Sequence, residues 1–227
     1  MRQLMRPVAT LGLLAAASVA GCGKTIQQST STVSPVDAPA TIPTTPAERA
    51  AANAARPRYT VADVHFISGM IGHHAQAVVM ARWAPTHGAS ASVRTLCERI
   101  AVAQTDEIKF MQRWLQERHE PVPPADPAGH MMPGMDHPML MPGMLTPEQM
   151  KQLDAARGAE FDRLFLTFMI QHHQGAISMV EQLMGSYGAA QDDAVFKFAS
   201  DVNADQTTEI DRMNLMLNAM VSGTRNP

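Results

Sequence analysis

Beyond about residue 58, apolar and polar residues recur with the helical period, and almost nowhere with the two-residue period of a strand. On a wheel of about 100° per residue, Asp63, Phe66, Ile67, Met70, His74, Ala77, Val78 and Ala81 share one stripe. A second segment aligns Val93, Leu96, Cys97, Ile100, Gln104, Glu107, Ile108, Met111 and Trp114. A third aligns Asp162, Met169, His173, Ala176, Ile177 and Val180, and a fourth Val202, Gln206, Glu209, Ile210, Met213, Leu217 and Met220. Thr60 with Asp63 three residues on forms a start signal, and Thr86-His87-Gly88 a stop. The second helix is expected from about Ser92 to Arg118, before Pro121. Thr146-Pro147-Glu148 supplies a cap, a first-turn proline and an acid for a third helix that reaches Ser186, with a break at Gly158. The last helix is expected from about Asp192 to Val221. The pattern predicts an all-α fold, a four-helix bundle made from two hairpins.

The two hairpins are copies. Phe66-Ile-Ser-Gly-Met70-Ile-Gly-His73-His74 returns 99 residues later as Phe165-Leu-Thr-Phe-Met169-Ile-Gln-His172-His173, with Asp63, Ala77 and Met80 matched by Asp162, Ala176 and Met179. Gln104-Thr-Asp-Glu107-Ile108-Lys-Phe-Met111 returns after 102 residues as Gln206-Thr-Thr-Glu209-Ile210-Asp-Arg-Met213. Two blocks returning in the same order mark an internal duplication.

Asp, His, Gln and Glu interrupt the apolar seam at the same places in both copies. Ionisable groups are rarely buried without a partner, because desolvation costs several kcal/mol. If the first turn centres near Gly88, His73 lies level with Gln104 and Met70 with Glu107; the second turn does the same for His172 with Gln206 and Met169 with Glu209. Each copy thus gathers a thioether, one or two imidazoles and a carboxylate. Met70 and His74 sit one turn apart on one face, within chelating reach. The wheel leaves His73 and His172 at the seam edge, free to serve a second site, bond to a neighbouring helix or meet solvent. Two roles stay open for His74 and His173, metal ligand or hydrogen-bonded core histidine, and for Met70 and Met169, ligand or packing. Glu107 and Glu209 either fix an imidazole tautomer or belong to a buried polar network.

The segment between the copies changes this balance. His130-Met131-Met132-Pro-Gly-Met135-Asp-His137-Pro-Met139-Leu-Met141-Pro-Gly-Met144 holds six Met and two His in 15 residues. Proline and glycine bar a helix there, so these Met residues are not read as a core stripe. Thioethers with imidazoles select Cu(I), or Ag(I) as its mimic, whereas Mg, Ca and Mn prefer oxygen. The whole chain of 227 residues carries 18 Met and 9 His but only 2 Cys, which excludes a disulfide scaffold and a Cys₄ metal site. A formal charge of −3 without a basic excess argues against nucleic acid as a partner.

The N-terminus reads as an export address. Arg2 and Arg6 precede an apolar run from Val8 to Ala20 that is too short to span a bilayer. Val19-Ala20-Gly21-Cys22 resembles a lipobox, so residues 1–21 are read as a lipoprotein signal peptide and Cys22 as the lipidation site. Residues 22–58 are Ser-, Thr-, Pro-, Ala- and Gln-rich and read as a flexible linker. The folded part is then 59–222: a first repeat at 59–119, the Met/His-rich loop at 120–145 and a second repeat at 146–222. Cys97, on a helical stripe, reads as a buried structural thiol.

The doubled Met-Ile-x-His-His and Gln-Thr-x-Glu-Ile-x-x-x-Met blocks, covering about residues 60–221, resemble the family DUF305 of ferritin-like helical bundles in bacterial envelopes. The resemblance implies copper binding and resistance. It marks Met70, His73, His74, Met80, Met169, His172, His173 and Met179, with Glu107 and Glu209 beside them, and Met111 and Met213 join this set. The loop donors at 130–144 are not required by the family pattern and strengthen the copper reading. The expectation is an envelope protein, not an enzyme, that sequesters Cu(I) or hands it on to a chaperone or efflux partner and touches the membrane only through its lipid anchor. Two other readings stand beside it. One is a ferritin-like di-iron or di-manganese protein, for which the matched carboxylates are few. The other is a metal-free helical interaction module.

Overall fold

The structure, a computed structural model, describes residues 45–48, 58–128 and 140–223. The proposed signal peptide, Cys22, most of the linker, and His130, Met131, Met132, Met135, His137 and Met139 lie outside the described residues. The chain divides into two units, 1–49 and 50–227. Of the first, residues 45–48 are described: one helical turn in which Thr45 and Glu48 cap each other, each backbone N–H donating to the other's side chain at 3.0 and 3.1 Å.

The second unit is all-helical among the described residues, with helices α1 (Val61–Arg82), α2 (Ala91–Glu117), α3 (Pro147–Ala155), α4 (Gly158–Gly185) and α5 (Asp193–Gly223). The expected N-terminal caps form, whereas α1 ends at Arg82, before the stop expected at Thr86-His87-Gly88, and turns carry the chain on to Gly88. Thr60 and Asp63 make a reciprocal capping box on α1, and Thr146 does the same with Gln149 at the start of α3, where Pro147 opens the helix. The break at Gly158 is real: its φ of +60° suits glycine, and its N–H donates to the His87 carbonyl at 2.8 Å. None of these described helices is long and apolar enough to cross a membrane.

Helix α1 packs on α2 and α4 on α5, and the two pairs meet along α1 and α4. Asp63 and Asp162, at matched positions of the two repeats, strap each pair to the other's turn. The Asp63 carboxylate accepts from Ala190 N–H at 2.7 Å, and both oxygens of Asp162 accept from Ser90 N–H at 3.2 and 3.1 Å. At the start of α5, Asp192 receives Arg118 at 2.6 Å and the Trp114 indole at 3.3 Å. Burial raises the Asp192 pKa, yet these donors with Val195 N–H outweigh it and hold the carboxyl below its usual value.

Apolar side chains form two clusters. One surrounds Phe66, Met70, Met111, Trp114, Met179 and Phe198; the other surrounds Met80, Leu96, Phe161, Phe165, Met169 and Met213. Along α1 and α4 the first cluster takes residues 66–71 and 176–183, and the second takes 77–84 and 161–169. The layer between them is polar. Cys97 is buried in the second cluster, where desolvation and then the Asp162 charge push its thiol pKa up to about 12, so it is an inert structural thiol.

The single buried stripe expected for α1 is too narrow. Gly69, Ile71, Gly72, His73, Ala75 and Gln76 are buried as well, because α1 meets α2 and α4 and also the returning segment 140–145. That segment is non-helical, as its Pro and Gly require, yet Met141 and Met144 are 7% and 5% exposed and belong to the first cluster. Absence of a helix did not keep these two methionines out of the core, contrary to the inference from Pro and Gly.

Candidate functional site: a buried chain of histidines

Two consecutive histidines on α1 and two on α4 face one another in the polar layer, and His73, His74, His172 and His173 are each 0% exposed. The central contact is between His73 and His172, whose ring centroids lie 3.8 Å apart. His74 continues the chain on one side at 6.4 Å from His73, and His173 on the other at 6.2 Å from His172. His73 and His172 therefore stand at the centre of the layer and not at the seam edge. The wheel displaced them because it gave each helix only one buried face.

Acceptors fix two of the four rings, and a carboxylate lies beside a third. His73 Nε2 donates to the Pro142 carbonyl at 3.0 Å, and His173 Nε2 donates to Glu209 Oε2 at 2.6 Å. His74 Nε2 lies 2.8 Å from Glu107 Oε2, but off the line of a good hydrogen bond. In the repeats, Glu107 thus meets His74 where the expected register put it level with Met70, about one turn away. Both glutamates are one-quarter exposed, so they connect the buried rings with the surface. Nearby Asp205 has its carboxyl pushed up, first by desolvation and then by the charges of Glu107, Asp201 and Glu209, which marks a negative patch above the histidines.

What remains is a set of bare nitrogens. Among the described residues, the buried side-chain polar atoms without a hydrogen-bond partner are His73 Nδ1, both nitrogens of His74 and His172, His173 Nδ1, and the Oε1 atoms of Gln104 and Gln206. Each such group costs about 1–3 kcal/mol when nothing satisfies it. An Nε2–H held by a carboxylate or carbonyl leaves the Nδ1 lone pair bare, the tautomer a metal-binding histidine needs. The two central rings are also kept neutral. Burial, then the neighbouring His74, lowers the His73 pKa to about 3, the Pro142 hydrogen bond opposing. Burial, then His73, His173 and His74, puts His172 well below its ordinary value. A cation arriving here displaces no proton from these two rings.

Thioethers flank this layer on both sides. The first cluster contains Met70, Met111 and Met179, together with Met141 and Met144 from the returning segment; the second contains Met169, Met213 and Met80. Each triad draws on both repeats, since Met179 and Met80 cross to the other copy's cluster. All eight are buried. Among the described residues no group of three or more His, Cys, Asp or Glu converges as a metal site.

The sequence did not point to Gln76, which holds the returning segment. Its amide donates to the carbonyls of Pro127 and Leu145 at 3.0 and 3.1 Å and accepts from Leu145 N–H at 2.7 Å. Opposite it, a Cβ on Gly175 would lie 2.0 Å from the Pro142 oxygen, so only glycine lets the segment bring that oxygen to His73. The only signal was that Gln76 and Gly175 occupy matched positions of the repeat and differ.

Comparison with known proteins agrees with the doubled blocks. The family profile described as Domain of unknown function (DUF305) matches residues 63–217. Among solved structures, a candidate secreted DUF305 protein from Streptomyces coelicolor is 29% identical at a TM-score of 0.59, covering 70% of this chain and 93% of its own. A DUF305 fragment from Deinococcus radiodurans is 27% identical with a TM-score of 0.59, covering 72% and 99%. CopM in its Cu(II)-bound form is 28% identical with a TM-score of 0.54, covering 69% and 96%, and CopM has also been solved with Cu(I) and with Ag bound. No curated protein matches the chain.

Proposed function

The chain belongs to the DUF305 family, and we propose that it is an exported copper-binding protein that holds Cu(I) through buried imidazole and thioether donors. The observation that carries this reading is the set of ring nitrogens left without a hydrogen-bond partner on four buried histidines, Nδ1 of each among them, bounded on both sides by methionine clusters. Buried polar atoms are nearly always satisfied, and a set left bare in matched positions asks for a guest. Neutral imidazole and thioether suit a soft monovalent ion, and the negative patch at Glu107, Asp205 and Glu209 favours a cation's approach. CopM, a relative solved with copper and with silver, supports the same chemistry.

His73, His74, His172 and His173 would bind the metal with Met70 and Met169, and Met80, Met111 and Met213 would line its surroundings. Glu107 and Glu209 are positioning residues that hold imidazole tautomers. The fold is read as a ferritin-like four-helix bundle whose di-metal carboxylate chemistry is lost: each glutamate is taken by its own histidine, and Asp63 and Asp162 are taken by turns. Export, lipidation at Cys22 and transfer of Cu(I) to an efflux or chaperone partner complete the proposal, together with metal capture by the Met/His loop at 130–144.

The test is an anaerobic competition titration of the full chain against a chromogenic Cu(I) chelator. Copper should move to the protein, and substitution of His73, His74, His172 and His173 by Gln should weaken binding at least tenfold. If the wild-type chain takes no copper from the chelator, the proposal falls.

A further inference from the structure

A groove of about 560 Å³ opens between the start of α1 and the end of α4; Pro142, whose carbonyl meets His73, is in its lining, but none of the four buried histidines is. Its walls are largely apolar, including Phe66 and Leu183, but three of its lining residues carry soft or borderline donors: His65 on α1, Met141 on the returning segment and Met179 on α4. His65 is exposed, whereas Met141 and Met179 are nearly buried, so the thioethers form the floor and the imidazole the rim. Gly69, one turn beyond His65, brings the two methionines together. A Cβ there would lie 3.1 Å from Met141 Sδ and 3.5 Å from Met179 Cε, so both side-chain ends rest above a backbone that has no side chain.

The duplication argues that this is not a copied packing feature. In the second repeat the position of His65 holds Leu164 and that of Gly69 holds Phe168, whose side chain is buried in the other cluster. One copy fills the space with an aromatic ring; the other leaves it open and puts a sulfur over it. Met144 does not compete for the role, because its sulfur accepts the Met141 N–H at 3.3 Å. Met141 lines the groove with its sulfur over Gly69.

We propose that His65, Met141 and Met179 form a separate, solvent-accessible site for a soft monovalent ion of the Cu(I) or Ag(I) class. It rests on the copper-binding reading above but draws its donors from outside the buried histidine chain. Two thioethers and one imidazole are a sufficient set for such an ion, and an apolar groove discriminates against strongly hydrated cations. Placed at the surface, the site would take up metal while the buried chain retains it.

The test is a silver titration of the full chain carrying ¹³C-methyl methionine, followed by NMR and by counting bound silver in native mass spectra. Met141 and Met179 methyl signals and the His65 ring should shift together. The triple variant His65→Gln, Met141→Leu, Met179→Leu should lose one silver equivalent while keeping the others, because Leu preserves the apolar volume of Met. If the triple variant binds as much silver as the wild type and the two methyls do not shift, this inference is wrong and the buried site stands. If the wild-type chain binds no silver at all, both fall.

Discussion

The two repeats are alike where they face each other and unlike where they face the returning segment. Asp63 and Asp162 hold turns, His74 and His173 meet glutamates, and Met70 and Met169 are buried alike. Against that background the differing pairs group together. Gln76 clamps residue 145 where its mate Gly175 gives residue 142 room, and Gly69 lies under Met141 where its mate Phe168 fills the space. Gln171 bonds the Gly143 carbonyl at 3.3 Å, while its mate Gly72 has no side chain to do so. A single inserted strand of chain lying on one side explains why a symmetric pair of hairpins drifted apart at these positions. The comparison teaches that symmetry here preserves the imidazole chain, and broken symmetry marks where the loop docks.

The largest test concerns the centre of the molecule, where the same inequality reaches the histidines: the returning segment gives His73 a carbonyl partner and gives His172 none. Both have folded pKa values depressed below 6.5, His73 to about 3. Between that value and 6.5 the unfolded chain binds more protons than the folded one, so stability of the metal-free protein falls as pH drops below about 6.5. For His73 the slope approaches about 1.4 kcal/mol per pH unit, or about 2 kcal/mol by pH 5, and His172 adds a loss of the same sign. Urea unfolding at pH 7 and pH 5 should show this loss, and the double variant His73→Gln, His172→Gln should remove most of it. Equal acid sensitivity in the variant would place its origin elsewhere.

Next in size is the docking of the returning segment. Gly175→Ala puts a methyl group 2.0 Å from a backbone oxygen that has no flexible end to yield. Overpacking of this kind costs about 3 kcal/mol, and it should pull Pro142 from His73. Gly185, on the same helix with nothing within 4 Å, is the matched control, and its change to Ala should shift stability by no more than about 0.5 kcal/mol. Thermal melts of the two variants compare these costs directly. A Gly175→Ala protein as stable as wild type would mean that the segment is not seated as described.

Much of this was legible in the sequence. Capping pairs and the Gly158 break follow from local rules that act within a few residues, while the repeated blocks and the hairpin register bring Glu107 and Glu209 near the paired histidines. The central placement of His73 and His172 was not legible, because a helical wheel assigns one buried face and α1 is enclosed on nearly all sides. Nor was the burial of Met141 and Met144: Pro and Gly dictate backbone form, while burial depends on a partner, and that partner is a glutamine clamp and a glycine far apart in sequence. His65 passed as an ordinary exposed residue, since the groove beneath it exists only when Gly69 and Met141 are brought together in space.

The smallest effect should separate the two most similar elements. Glu209 receives a well-aligned hydrogen bond from His173 at 2.6 Å, whereas Glu107 approaches His74 at 2.8 Å without that alignment. A carboxylate that orients a metal-binding imidazole is worth about 10–100-fold in metal affinity. Glu209→Gln should therefore weaken Cu(I) binding by about tenfold, and Glu107→Gln by less, with both proteins melting within about 1 kcal/mol of wild type because each glutamate is partly solvated. The chelator competition used for the wild type reads the difference. Equal losses would mean that the ion itself pulls His74 and Glu107 into the alignment His173 and Glu209 already have, and that the two repeats become symmetric only when metal is bound.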